Sequence, residues 1–137
     1  MTPRKPKALV LDSWAVLAYL GDESSGQAVA DLIASAHENR VPMCMSIVNV
    51  GEVWYILARE ISEAQADKAV TDLSNLGIEL VDVNWSLARA AGTFKAHHRM
   101  SYADCFAAAL AKERKSELVT GDKEFKQVET EITVRWL

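Results

Sequence analysis

Acidic side chains stand at four places in the sequence from which they could gather into one site. Asp12 directly follows the apolar run KALVL, and Asp122 directly follows another short apolar run and a Thr-Gly pair. Glu52 lies in a predicted helix, and Asp104 lies near the start of an alanine-rich segment. Carboxylates that sit together can bind divalent cations, because hard cations such as Mg²⁺ prefer oxygen ligands. Such a site requires that the fold bring the four acids together.

The elements that must position these acids alternate between short β runs and amphipathic helical patterns. Strands are predicted at 7–11, 43–47, 79–83 and 117–120, with 132–135 as a candidate fifth. Helices are predicted at 14–20, 25–38, 48–60, 62–76, from 84 to about 98, and at 102–115. This alternation predicts one α/β domain over 1–137, with a mainly parallel central sheet that is covered on both faces.

Two of the acids are expected at one edge of that sheet. In open parallel sheets, ligands bind beyond the carboxyl ends of the strands. Asp12 follows the first predicted strand and Asp122 follows the fourth. Both side chains are therefore predicted at the functional edge.

Three of the acids also have an ordinary structural interpretation. Asp12 is a good N-cap for the helix that follows it, and Asp104 fits a capping box that begins at Ser101. Asp122 lies at a strand-to-turn junction, where Gly and Asp are common turn residues. Glu52 differs, because its neighbours on the helical wheel are mostly apolar. Each acid alone leaves both interpretations open, and only the combination favours a site.

Composition restricts the classes of function. The net charge of −4 and a pI near 5.4 make a poor surface for holding nucleic acid by charge alone. No apolar run approaches the roughly 20 residues of a membrane-spanning helix, and the basic start, 1–7, is not followed by the apolar core of a signal peptide. Cys44 and Cys105 form no Cys-x-x-Cys pair, and we expect buried free thiols in a reducing cytoplasm.

Four segments carry the acids in order: 11–17 (LDSWAVL), 49–53 (NVGEV), 100–104 (MSYAD) and 119–125 (VTGDKEF). Together they resemble the motifs of the PIN-domain nucleases, and of the VapC-type toxin ribonucleases in particular. The last segment is similar to the family's Thr-x-Asp-x-x-Phe signature. The resemblance covers nearly the whole chain. Cys105 is a departure, because a smaller residue is expected after the third acid.

The resemblance implies a three-layer α/β/α fold, binding of Mg²⁺ or Mn²⁺, and endonucleolytic hydrolysis of RNA. The expected products carry 5′-phosphate and 3′-hydroxyl ends. It also implies a homodimer and inhibition by a cognate antitoxin protein. On this basis Asp12, Asp104 and Asp122 are expected to ligate the metal. Glu52 is expected to ligate it as well, through water, or to accept a proton from the nucleophile.

Further residues near these motifs have candidate roles. Ser13 and Thr120 are predicted to orient the carboxylates, with plain cap or turn roles as the alternative. Glu124 falls where some relatives carry a fifth acid and is a secondary candidate. Lys95 and Arg99, four positions apart on a predicted helix, are candidates for phosphate contacts, and a solvated helix end is the alternative.

Other functions fit the sequence less well. A Rossmann oxidoreductase needs Gly-x-Gly-x-x-Gly after the first strand, and this chain has Asp-Ser-Trp-Ala there. A haloacid-type phosphatase needs an Asp two residues after its nucleophile, where this chain has Trp14. Two alternatives stay open. One is a PIN fold that serves as a binding module with weak or no catalysis, and the other is cleavage of DNA.

Overall fold

The structure is a computed structural model and describes residues 8–21 and 24–137. In this part of the chain the strands are β1 (Leu9–Leu11), β2 (Met43–Ser46), β3 (Ile78–Val81), β4 (Glu117–Thr120) and β5 (Thr133–Trp136). The helices are α1 (Ser13–Leu20), α2 (Ser24–Glu38), α3 (Ile47–Glu60), α4 (Glu63–Asn75), α5 (Trp85–His97) and α6 (Tyr102–Arg114), with a 3₁₀ helix at Lys123–Val128. The predicted first strand began at Lys7, which lies outside the described residues, as does the rest of the 1–7 segment considered for a signal peptide.

The sheet has the strand order β3-β2-β1-β4-β5, and every neighbouring pair is parallel. The α/β prediction is therefore confirmed, and the described strands are all parallel rather than mainly so. The candidate fifth strand is also confirmed, because β5 pairs with β4 in register from Glu117 with Thr133 to Thr120 with Trp136. Parallel neighbours need crossover connections, and the alternating helices supply them.

Helices cover both faces of this sheet, as a three-layer fold requires. Val10 belongs to an apolar cluster with residues of α5 and α6, such as Phe94 and Phe106. Leu9 and Leu11 belong to a second cluster with residues of α1 to α4. Successive residues of a strand point to opposite faces, so β1 divides its side chains between the two cores. Its three residues are all buried, which fixes the position at which the chain leaves the sheet toward Asp12.

Local signals set the ends of the helices. Asn84 caps α5, because its Oδ1 accepts a hydrogen bond from the Leu87 backbone N–H at 2.9 Å. Gly77 adopts φ +84° just after α4, a left-handed conformation that ends the helix and that glycine adopts readily. The predicted helical face shared by Lys95 and Arg99 is wrong. α5 ends at His97, and His98 is extended with φ −136° and ψ 153°, so Arg99 lies in the loop before α6.

Both cysteines are buried and free, as predicted. Over 8–21 and 24–137, no helix combines the length and the apolar character that crossing a membrane would need.

Candidate metal centre

Asp12 is held at the carboxyl end of β1 by bonds to both of its oxygens. It is the N-cap of α1, and its Oδ1 accepts a hydrogen bond from the Ala15 backbone N–H at 2.8 Å. Its Oδ2 accepts a hydrogen bond from the Thr120 hydroxyl at 2.5 Å. The side chain is only 1% exposed. The cap predicted for this residue is therefore real, but capping uses only one of the two oxygens.

Asp122 reaches the same edge because β4 runs parallel to β1. Leu11 pairs with Val119, so the residues that follow these two strands emerge side by side. The Thr120 hydroxyl, which donates to Asp12, also accepts a hydrogen bond from the Asp122 backbone N–H at 3.0 Å. One hydroxyl thus fixes two of the predicted site residues.

Gly121 allows a close approach between α1 and this turn. A Cβ atom at this position would lie 2.3 Å from the Trp14 ring, which real contacts do not allow. Trp14 follows Asp12 by two residues, and Gly121 precedes Asp122. The absence of a side chain at Gly121 therefore lets the two acid-bearing segments pack against each other.

Glu52 enters the site from α3 through a side-chain contact. The Ser13 hydroxyl donates a hydrogen bond to Glu52 Oε1, which links α3 to the start of α1. Glu52 is half-buried, and Asn49, one turn earlier on α3, is fully buried. The Asn49 side-chain amide donates to the carbonyl of Ala103 at 3.0 Å. The face of α3 that carries Glu52 therefore contacts the first turn of α6.

Asp104, Asp122 and Glu124 form the tightest group of acids in the described chain. Each offers a carboxylate oxygen, and the three oxygens lie within 4.8 Å of one another. Asp104 is buried in the first turn of α6, where its backbone N–H bonds to the Ser101 cap at 3.1 Å. Glu124 is exposed on the 3₁₀ helix, and Asp122 caps that helix by accepting from the Glu124 backbone N–H at 3.0 Å.

Asp104 is strongly perturbed by this environment. Burial, a side-chain hydrogen bond with Glu124 and the charge of Asp122 together raise the pKa of its carboxyl to about 8. The negative charge of Asp12 acts in the same direction, while the hydrogen bond with Ser101 opposes it. The protonated form is therefore favoured in Asp104 when no cation is present.

Asp12 is perturbed in the same direction. Burial raises the pKa of Asp12 to about 7, against the bonds from Thr120 and Ala15, which lower it. The charges of Asp122 and Glu52 raise this pKa as well. Electrostatic repulsion thus connects Asp12 and Glu52 to the cluster, although neither belongs to its tightest group.

The donor set fits a hard divalent cation. All of its side-chain donors are carboxylate oxygens, and the 4.8 Å limit is close to the roughly 4 Å that separates opposite oxygens around one Mg²⁺ ion. Burial, followed by the negative charge of neighbouring acids, raises the pKa values of Asp12 and Asp104, so their ionised forms need compensation by positive charge. A divalent cation would supply that compensation.

The four predicted acids therefore come together at one edge of the sheet, but only two of them belong to the tight group. Asp104 and Asp122 share the tight group, while Asp12 and Glu52 connect to it through hydroxyl groups and charge. Glu124, only a secondary candidate in the sequence, stands in the tight group. Asn49 was not singled out from the sequence, although a polar residue one turn before Glu52 among apolar neighbours was a usable signal.

The predicted basic residues lie close to the cluster but are not equivalent. Lys95 Nζ donates to the carbonyl of Met100 at 2.6 Å, and its positive charge lowers the pKa of Cys105, the neighbour of Asp104. The exposed side chain of Arg99 has no hydrogen bond or ion pair with the described residues. Lys95 therefore has a structural partner, whereas the Arg99 guanidinium is available for a ligand.

Comparisons with known proteins agree with this architecture. The PIN domain family model matches residues 9–131. Among solved structures, VapBC2 from Rickettsia felis, bound to a promoter DNA fragment, is similar at 15% identity with a TM-score of 0.74, over 93% of this chain and 97% of that one. VapC20 from Mycobacterium tuberculosis, a sarcin-ricin loop cleaving toxin, is similar at 20% identity with a TM-score of 0.70, over 88% and 95%.

DNA-bound VapBC from Salmonella typhimurium is similar at 18% identity with a TM-score of 0.72, over 93% of this chain and 96% of that one. At such low identities the likeness is one of fold. No curated protein matches the sequence closely enough to count as a relative.

Proposed function

Because the chain belongs to the PIN domain family, we propose that it is a metal-dependent endoribonuclease whose active site is the acid cluster at the carboxyl edge of the sheet. The observation that carries this proposal is the group of three carboxylates within 4.8 Å of one another, with buried Asp12 beside it. Repelling carboxylates of this kind are costly to keep in a fold unless they serve a cation.

Four carboxylates of the chain would bind Mg²⁺ or Mn²⁺. Asp104 and Asp122 are the central ligands, and Glu124 joins them from the exposed side. Asp12 adds a further carboxylate, because each of its oxygens has a second lone pair beyond the bond it already accepts. When bound, the ion supplies polarisation of the scissile phosphate and activation of a water molecule.

Glu52 is suited to a proton-accepting role. It stands at the margin of the cluster, half-buried, and one oxygen accepts from the Ser13 hydroxyl. The other oxygen is free to accept a proton from an attacking water or to bind a water of the metal ion. The Ser13 hydroxyl ties the Glu52 carboxylate to the residue that directly follows Asp12.

RNA is proposed as the substrate, and positive side chains beside the cluster support it. The free guanidinium of Arg99 can contact a phosphate on a strand that enters the site. The exposed ring of Tyr102, in the first turn of α6, offers a surface on which a base can stack. An overall acidic chain can still bind RNA here, because a bound divalent cation offsets part of the local negative charge and offers a positive centre to a phosphate.

A protein antitoxin is the proposed partner. The similar solved structures include VapBC complexes, and this chain has a cavity lined by apolar Leu20, Leu57 and Ile61 and also by charged Lys68 and Asp72. Ile61, at this cavity, is 65% exposed. We propose that an apolar segment of the antitoxin covers this cavity, and that the chain forms a homodimer.

The proposal is tested with defined substrates. Purified protein is incubated with matched RNA and DNA oligonucleotides in Mg²⁺, in Mn²⁺ and in EDTA, and the product ends are determined. We expect cleavage of RNA only with metal, leaving 5′-phosphate and 3′-hydroxyl ends. Binding without cleavage would favour the alternative of a binding module, and equal cleavage of DNA would remove the RNA assignment.

A further inference from the structure

The loop between α5 and α6 is tied to the 3₁₀ helix by one side chain, that of Gln127. Gln127 Oε1 accepts a hydrogen bond from the Arg99 backbone N–H at 3.2 Å. Its Nε2 donates to the Arg99 carbonyl at 3.1 Å and to the Glu124 carbonyl at 3.2 Å. One amide thus satisfies both backbone groups of Arg99 and also contacts the backbone of an acid in the cluster.

These bonds join two segments that carry different members of the cluster. Arg99 stands two residues before Ser101, the cap of the helix that presents Asp104. Gln127 stands on the same short 3₁₀ helix as Glu124. The amide therefore acts as a brace between the segment that presents Asp104 and the segment that presents Glu124.

Other bonds hold the Asp104 segment but do not reach Glu124. Lys95 Nζ bonds to the Met100 carbonyl, and the Asn49 amide bonds to the Ala103 carbonyl. These contacts fix the start of α6 against α5 and α3. Among the side-chain hydrogen bonds of the described residues, those of Gln127 alone join the loop before α6 to the 3₁₀ helix.

The brace restrains the exposed member of two neighbouring acids. Asp104 and Glu124 are in contact, and each carries a carboxyl group. Asp104 is buried in the first turn of α6, whereas Glu124 is exposed on the short 3₁₀ helix, so Glu124 is the member that can move away. A neutral amide can resist this separation without adding charge to the site.

We propose that Gln127 is a positioning residue that keeps Glu124 within metal-binding distance of Asp104. The proposal rests on the metal site of the proposed function, and Gln127 itself touches neither metal nor substrate. Residues that orient the ligands of a metal commonly change its affinity by about 10- to 100-fold.

The test measures Mn²⁺ binding directly, by the loss of the electron paramagnetic resonance signal of free Mn²⁺. Gln127→Met keeps the length of the side chain and removes all three hydrogen bonds. We expect its Kd for Mn²⁺ to rise by about 10-fold, with faster amide hydrogen exchange at Arg99. Gln65→Met, on the exposed surface of α4, is the matched control and should bind Mn²⁺ as wild type does.

Melting in EDTA separates positioning from a general loss of stability. Gln127→Met is expected to melt near the wild-type temperature there, because it opens no cavity. Should it fail to fold, Gln127→Asn keeps the amide but is one methylene too short to span both partners, and it is expected to weaken Mn²⁺ binding as well. A wild-type Kd in the folded variant would overturn the proposal.

The results that would overturn the role of Gln127 differ from those that would overturn the proposed ribonuclease function. If the wild-type protein binds Mn²⁺ but cleaves no RNA, the ribonuclease assignment is wrong and the Kd comparison still decides the role of Gln127. If the wild-type protein binds no Mn²⁺, the metal site and this proposal are both overturned.

Discussion

The Thr120 hydroxyl donates a hydrogen bond to Asp12 Oδ2 at 2.5 Å, across 108 positions of sequence. It also accepts from the Asp122 backbone N–H at 3.0 Å, and it is completely buried. β1 and β4 are neighbours in the sheet, so this one hydroxyl stands where two acid-bearing strand ends meet. It fixes the direction of one carboxylate and the turn that carries another.

Replacing that hydroxyl is the first prediction. Thr120→Val keeps the shape of the side chain but frees Asp12 Oδ2 and leaves the Asp122 N–H unsatisfied. We expect metal affinity and RNA cleavage to fall by about 10- to 100-fold. Thr120→Ser keeps the hydroxyl and should stay near wild type. Equal Mn²⁺ affinity and cleavage in the Val and Ser variants would show that the hydroxyl has no orienting role.

The metal-free protein is predicted to lose stability as the pH rises from about 5 to about 8. The pKa values of Asp12 and Asp104 in the folded protein are about 7 and about 8, against 3.8 for a free carboxyl. In this window the folded state holds more protons than the unfolded state, so the free energy of unfolding falls with rising pH.

Asp104→Asn tests this linkage. In EDTA the variant should melt above wild type near pH 8. In a chain of this length, each kcal/mol gained in the free energy of unfolding raises the melting temperature by roughly 3 °C. The difference should shrink near pH 5, where wild-type Asp104 is itself protonated. Thermal melts across the pH range measure it. A variant that melts below wild type at the higher pH would contradict the account.

Metal binding is predicted to stabilise the wild-type protein selectively. A ligand that binds only the folded state raises the free energy of unfolding, by about 2.7 kcal/mol at 100 times its Kd. Mg²⁺ or Mn²⁺ should therefore raise the melting temperature of wild type more than that of Asp122→Asn, which lacks a central ligand. Equal shifts in both proteins would indicate that the ions act elsewhere.

Arg99 is predicted to contact RNA phosphate. Arg99→Ala should weaken RNA binding and reduce the slope of log affinity against log salt by about 1, because one phosphate contact is lost. Arg40→Ala is a matched control, since Arg40 precedes β2 at the opposite edge of the sheet. Filter binding at several salt concentrations in Ca²⁺ gives both slopes. If the two variants behave alike, Arg99 is only a solvated loop residue.

The alternation of strands and helices was sufficient to predict part of this candidate site from the sequence. Asp12 and Asp122 follow parallel strands, and the geometry of such sheets brings strand ends to one edge. The tight packing of Glu124 was harder to predict, because it depends on a short 3₁₀ turn after Asp122 with no periodic signal. The position of Arg99 was mispredicted because one extended residue, His98, ends α5 before it.

Contacts between segments that are far apart in the sequence were the hardest feature of the site to predict. Nothing in the sequence pairs Gln127 with Arg99, since both are polar residues of loops or short turns. The bond from Ser13 to Glu52 depends on how α1 packs against α3, which periodicity does not determine. Sequence identified which side chains could do chemistry, whereas the tertiary structure determined which of them touch.

The most direct measurement is the rate of RNA cleavage by Asp104→Asn and Asp122→Asn beside wild type, at saturating Mn²⁺ and in EDTA. Each substitution removes one ligand charge and nearly preserves shape. We predict that wild type cleaves only with metal and that each variant is slower by orders of magnitude while remaining folded. Cleavage by Asp104→Asn at the wild-type rate, or undiminished wild-type cleavage in EDTA, would contradict this prediction.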